Sequence, residues 1–146
     1  MKRWLMSAVM VVGAALPMAY LGAHCEVPCG IYDDAARFQQ VLEDQATIAK
    51  AIAGIQELAK EHIATDLNQL SRWVATKEAH ATNTQHIIAQ YFMTQKIKTD
   101  DPRCANKLTA AHGVLVAAMK CKQSADPATA DGLKAAIVAF QKAYGG

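Results

Sequence analysis

From Asp33 onwards apolar side chains recur every three or four residues, and nowhere do apolar and polar residues alternate as a half-buried strand requires. That periodicity confines the chain to helix packed on helix. Asp33 is placed to cap a first helix whose stripe is Phe38, Val41 or Leu42, Gln45, Ile48, Ile52, Ile55 and Ala59. A second helix starts near Thr65 or Asp66 and carries Leu67, Leu70, Val74, Lys77, Ala81, Thr84, Ile88 and Tyr91, widened by Trp73, Ile87 and Phe92, to about Lys96. Lys98-Thr99-Asp100-Asp101-Pro102 stops it, because the residue before proline avoids helical angles. A third helix presents Leu108, Ala111, Leu115, Ala118 and Met119. Asp126 caps a fourth, with Pro127 at the first helical position, and Leu133, Ile137 and Phe140 form its stripe before Gly145-Gly146. No internal repeat is present. Four amphipathic helices joined by short turns bury their stripes most simply as an antiparallel four-helix bundle, an all-α fold. The many surface alanines allow close approach between helices or between subunits.

The first 23 residues have a different composition. Lys2 and Arg3 give a positive start, an apolar run follows from Trp4, and Leu21-Gly22-Ala23 offers small residues at a cut, which is the pattern of an export signal. Trp4 to Ala23 is also long enough to cross a bilayer as an uncleaved anchor. Lipidation of Cys25 is disfavoured by bulky His24 before it, and a twin-arginine signal is not supported. Cleavage after Ala23 leaves residues 24–146 as one domain, exported to a periplasm or to the exterior. It also takes two of the 15 basic residues, leaving 13 against 13 acidic ones. Zero net charge argues against a nucleic-acid partner, for which a basic surface supplies most of the affinity.

Cleavage there has a chemical consequence. It exposes the α-amine of His24, its imidazole and the thiols of Cys25 and Cys29 within six residues, His24-Cys25-Glu26-Val27-Pro28-Cys29. A turn through Pro28 brings both sulfurs to one ion, and thiolates beside nitrogen donors suit transition metals. A square-planar nitrogen and sulfur set, completed by the Cys25 amide, favours nickel(II) over copper(II), which oxidises thiolates. The competing reading in an oxidising compartment is a Cys25–Cys29 disulfide, expected in metal-free protein.

His24-Cys25-Glu26-Val27-Pro28-Cys29-Gly30-Ile31-Tyr32 resembles the N-terminal hook of nickel superoxide dismutases, whose motif is HCxxPCxxY at a newly cut terminus. The resemblance extends to the four-helix remainder, so the mature chain divides into a hook, 24–32, and a bundle, 33–146. It implies an enzyme that disproportionates superoxide to dioxygen and hydrogen peroxide by nickel(II)/nickel(III) cycling. The metal ligands would be His24 (amine and imidazole), Cys25 (amide and thiolate) and Cys29, with Tyr32 guarding the open face. It further implies a homohexamer with one nickel per subunit, a processing peptidase, no organic cofactor and no stable membrane insertion after cleavage. The non-enzymatic alternative is an exported helical nickel- or copper-binding protein without turnover. The best-known branch of the family orients the apical imidazole with a glutamate on the first helix and an arginine on the second. The nearest equivalents here are Gln40 or Glu43, and His80. Glu26 replaces the more familiar aspartate.

Cys104 and Cys121, if both lie on the third helix, are about 25 Å apart along its axis and cannot bond to each other. They are expected to be buried or partner-facing free thiols, with an intersubunit bridge as the alternative. His80 and His86, six residues apart, face different directions, His62 reads as a helix-end or loop residue and His112 as a core-edge or interface one. No paired zinc spacing, haem-attachment motif or glycine-rich phosphate loop occurs. Trp73, Tyr91, Phe92 and Met119 read as core. Lys77, Lys96 and Lys107 could attract an anionic substrate, although a solvated face is the simpler reading.

Overall fold

The computed structural model describes residues 33–60 and 63–145, and every regular element among them is helical. Helix α1 spans Asp34–Leu58, and the Asp33 carboxylate accepts from the Ala36 N–H at 2.7 Å, which ties up one of the donors a helix start leaves open. Its buried face is Phe38, Val41, Asp44, Gln45, Ile48, Ala51, Ile52 and Ile55. Ala59 falls outside that stripe as the exposed C-cap.

Helix α2, Ala64–His86, begins without a side-chain cap and continues directly into a π-helical segment, Ile87–Lys96. The single long rod expected to Lys96 is therefore present, but its last ten residues are wound with i→i+5 hydrogen bonds; Ile97 N–H, for example, donates to Phe92 C=O at 2.8 Å. The N-terminal half of α2 corrects the sequence reading. Leu67 and Val74 are exposed, and full burial starts at Lys77. The register explains this. Trp73 packs against Gly54, and Gln56 reaches the carbonyl of Ala125 ahead of α4, so α2 before Trp73 overhangs the other pair of helices.

Helix α3, Cys104–Gln123, is also rotated from expectation by about one position. Lys107, Ala111, Val114, Ala118 and Cys121 are buried, Leu108 and Leu115 are half-buried, and Met119 is exposed rather than core. The long stem of Lys107 lies in the apolar layer while its ammonium reaches Asp101 at 2.6 Å, so a charged residue takes a stripe position. Cys104 is half-buried, Cys121 is buried, and both are free thiols at opposite ends of the helix. Burial pushes the Cys121 thiol up. Helix α4, Pro127–Gly145, follows the sequence closely: Asp126 accepts from the Ala128 N–H at 2.9 Å, and Ala130, Leu133, Ile137 and Phe140 are buried.

Each helix packs on two neighbours, α1 on α2 and α4, and α3 on the same two. Three hydrogen bonds fix α1 antiparallel to α4: Gln56 to Ala125 C=O, Gln45 to Ala130 C=O at 3.0 Å, and Tyr144 to Asp34 at 2.8 Å. The bundle is closed at the Asp34 end by an aromatic cluster. Phe92 lies 4.5 Å from Phe38, 5.0 Å from Tyr91, 5.1 Å from Phe140 and 5.2 Å from Tyr144 between ring centroids. Tilted and edge-on pairs of this kind add about 0.5–1.5 kcal/mol each to the burial of the rings. This is the end from which the chain continues back to Tyr32. No helix among the described residues is long and apolar enough to cross a membrane.

Candidate metal centre and its platform

His24, Cys25, Cys29 and Tyr32 lie outside the described residues, as do residues 1–23 and His62. The described part supplies the platform on which that segment is mounted. Next to that segment lies Asp34, directly after the helix cap and bound by three side chains. One carboxylate oxygen accepts from Tyr91 OH at 2.8 Å and pairs with Lys96 Nζ at 3.3 Å, and the other accepts from Tyr144 OH at 2.8 Å. Partial burial opposes ionisation of Asp34, but the hydrogen bonds from Tyr144, Tyr91 and Lys96 outweigh it and hold the carboxyl below the usual aspartate range. For the tyrosines the sign is reversed, since burial first and the Asp34 carboxylate second raise both hydroxyls.

A folded-state pKa below the unfolded one contributes stability that is present above about pH 4, the ordinary aspartate value, and is lost as pH falls through the lowered value. Asp101 acts in the same direction, lowered by Lys107 and by the Arg103 N–H. Asp34→Asn is therefore expected to flatten the acid limb of a melting-temperature profile below about pH 4. An unchanged limb contradicts that assignment.

Each of the three residues weighed as a partner of the His24 imidazole has a partner of its own in the bundle. Gln40 Oε1 accepts from Arg37 Nη1 at 2.9 Å, one turn into α1, and borders a shallow groove with Ala36, Gln39 and Glu43. Glu43 accepts from Gln39 at 3.3 Å on the exposed face. His80 is half-exposed and donates Nδ1–H to buried Asp44 at 2.7 Å, leaving Nε2 as its outward atom. The other Asp44 oxygen accepts from Asn83 at 2.8 Å and Thr84 at 3.3 Å. Sequence reasoning passed over Asp44, yet a carboxylate between Val41 and Ile48 on the apolar stripe is the signal of a buried polar joint. Asp44→Ala leaves its donors without an acceptor and is expected to cost about 2–3 kcal/mol, read as a shift of the urea midpoint.

The three lysines weighed as attractors of an anion are each engaged. Buried Lys77 donates to the carbonyls of Cys121 and Lys122, capping the end of α3 from α2. Lys107 binds Asp101, and Lys96 pairs with Asp34 and lies over the Tyr91 ring. For Lys77 and Lys107 the solvated-face reading is thus corrected as well. His112 and His86 are exposed. Among the described residues no group of three or more His, Cys, Asp or Glu side chains is disposed to hold a metal ion.

A helical bundle preceded by a histidine and two cysteines within six residues carries the nitrogen and sulfur donor types that suit a transition metal, nickel among them. A family model described as nickel-containing superoxide dismutase matches residues 19–146, taking in the histidine and cysteine segment as well as the bundle. The chain belongs to the nickel-containing superoxide dismutase family; it is a superoxide dismutase, an oxidoreductase, with nickel as its cofactor. No curated protein and no solved structure matches it.

Proposed function

We propose that the working enzyme begins at His24, after a processing peptidase removes residues 1–23 of an exported precursor, and that residues 24–32 form a metal hook ahead of the bundle. The observation that carries this is the placing of His24, Cys25 and Cys29 directly after a cleavable apolar run, in a chain whose family is defined by nickel. The His24 amine and imidazole, the Cys25 amide and thiolate and the Cys29 thiolate would hold the ion. Bound nickel would supply a couple between the divalent and trivalent states, which would oxidise one superoxide to dioxygen and, with two protons taken up, reduce a second to hydrogen peroxide. The chain's part is electronic and steric. Electron-rich thiolates and an anionic amide stabilise the higher oxidation state, the imidazole adds a ligand whose orientation depends on hydrogen bonds beyond it, and Tyr32 restricts access to the open face. The assembly is proposed as a homohexamer with one nickel per subunit, in a periplasm or outside the cell.

The test is superoxide removal by processed, nickel-loaded protein beside the same protein with its leader retained. Turnover only after cleavage supports the proposal. Tight nickel or copper binding without turnover would leave the binding-protein alternative, and equal activity with the leader attached would overturn the role of the His24 amine.

A further inference from the structure

Tyr32 and the proposed ligands join the bundle through one short stretch, Asp33-Asp34, and Asp34 is tied to two other elements at once: the π segment, through Tyr91 and Lys96, and the end of α4, through Tyr144. The π winding makes this possible. Tyr91 and Lys96 are five residues apart, which in an α-helix would turn them about 140° from one another. With i→i+5 bonding they come to the same side and reach the same carboxylate oxygen. The Tyr91 ring is further flanked by Arg37 at 5.1 Å and Lys96 at 5.2 Å, so the first turn of α1 is held through side chains as well as through Asp34. Tyr91 and Tyr144 each pack an edge or face on Phe92, which fixes where their hydroxyls lie.

We propose that Asp34, gripped by Tyr91, Lys96 and Tyr144, is a positioning residue for metal retention: it fixes the start of α1, to which the proposed ligand segment is joined, against the π segment and the end of α4. This rests on the nickel reading of residues 24–32. Asp34 is not among the proposed ligands; it acts through the two peptide units that join it to Tyr32. The Asp33 cap alone fixes a helix start, whereas Asp34 fixes that start relative to two other elements. Loosening the grip frees the start of α1 from the other two elements, which shows first as faster loss of metal.

The experiment compares processed wild-type protein, Asp34→Asn, the double variant Tyr91→Phe/Tyr144→Phe and a core control, Leu133→Val, at matched distance below each melting temperature. The readouts are the rate at which nickel passes to an external chelator and the visible spectrum of the bound ion. The double variant keeps the rings and leaves α1 untouched, so a fold defect in Asp34→Asn does not remove the test. Expected is nickel loss at least about tenfold faster in both, as a change of about 1.4 kcal/mol gives, with the control near wild type. Wild-type rates and spectrum in both clamp variants, or equally fast loss from the control, would overturn the inference. Wild-type protein that retains no nickel would instead sink the reading on which it stands.

Discussion

Cys25→Ser protein, processed and offered nickel, is expected to lose superoxide dismutase activity by more than about a hundredfold, since removing even an outer partner of a metal ligand commonly costs 10- to 100-fold. Serine replaces a thiolate with a hydroxyl that stays protonated near neutrality, so the proposed donor and its electron density would be lost together. Helicity should stay close to wild type, because the described hydrogen bonds and apolar core from Asp33 onwards close the bundle without Cys25. The same holds for Cys29→Ser. Circular dichroism beside an activity assay separates the two effects, and a fully active Cys25→Ser protein contradicts the ligand set.

Phe92→Ala is expected to produce the largest loss of stability, about 3–5 kcal/mol, from removal of a fully buried ring and the cavity left behind. Phe92 is in contact with the rings of Phe38, Tyr91, Phe140 and Tyr144, which come from α1, the π segment and α4, so no single neighbour can relax into the space. Against a typical total of roughly 5–15 kcal/mol this is a large fraction. Because the cluster sits under Asp34, nickel retention should fall with it. A urea midpoint within about 1 kcal/mol of wild type would show that the cluster is not the keystone of that end.

Much of the bundle was legible because helix signals are local. The Asp33 cap, the turn through Pro102 and the Asp126-Pro127 start depend on backbone donors within three residues, and all three are where the sequence places them. What was not legible depends on register between helices. Leu67, Val74 and Met119 carry the periodicity of a core face but are exposed, since overhang and rotation are set by the neighbouring helices and not by spacing along their own. The π winding of Ile87–Lys96 left no mark in the apolar pattern, whose buried positions Ile87, Ile88, Tyr91 and Phe92 suit an ordinary helix equally well. Buried Lys77 and Lys107 were legible as stripe members only in part, because their partners, the α3 carbonyls and Asp101, are brought to them by tertiary packing.

The ligand segment behaves in the opposite way. His24, Cys25 and Cys29 stand out as proposed ligands because metal chemistry names its donors by type and close spacing, whereas groups that orient an imidazole can come from any helix that passes nearby. Arg37 paired with Gln40, and Asp44 behind His80, are combinations across a turn or a helix pair that a linear reading cannot assemble.

The most direct test of the whole account is a single determination on enzyme purified from its native host: the identity of the first residue together with the metal content per subunit. The account predicts a chain that starts at His24 and holds one nickel. A fully active protein that begins at any other residue, or that carries no nickel, would contradict it.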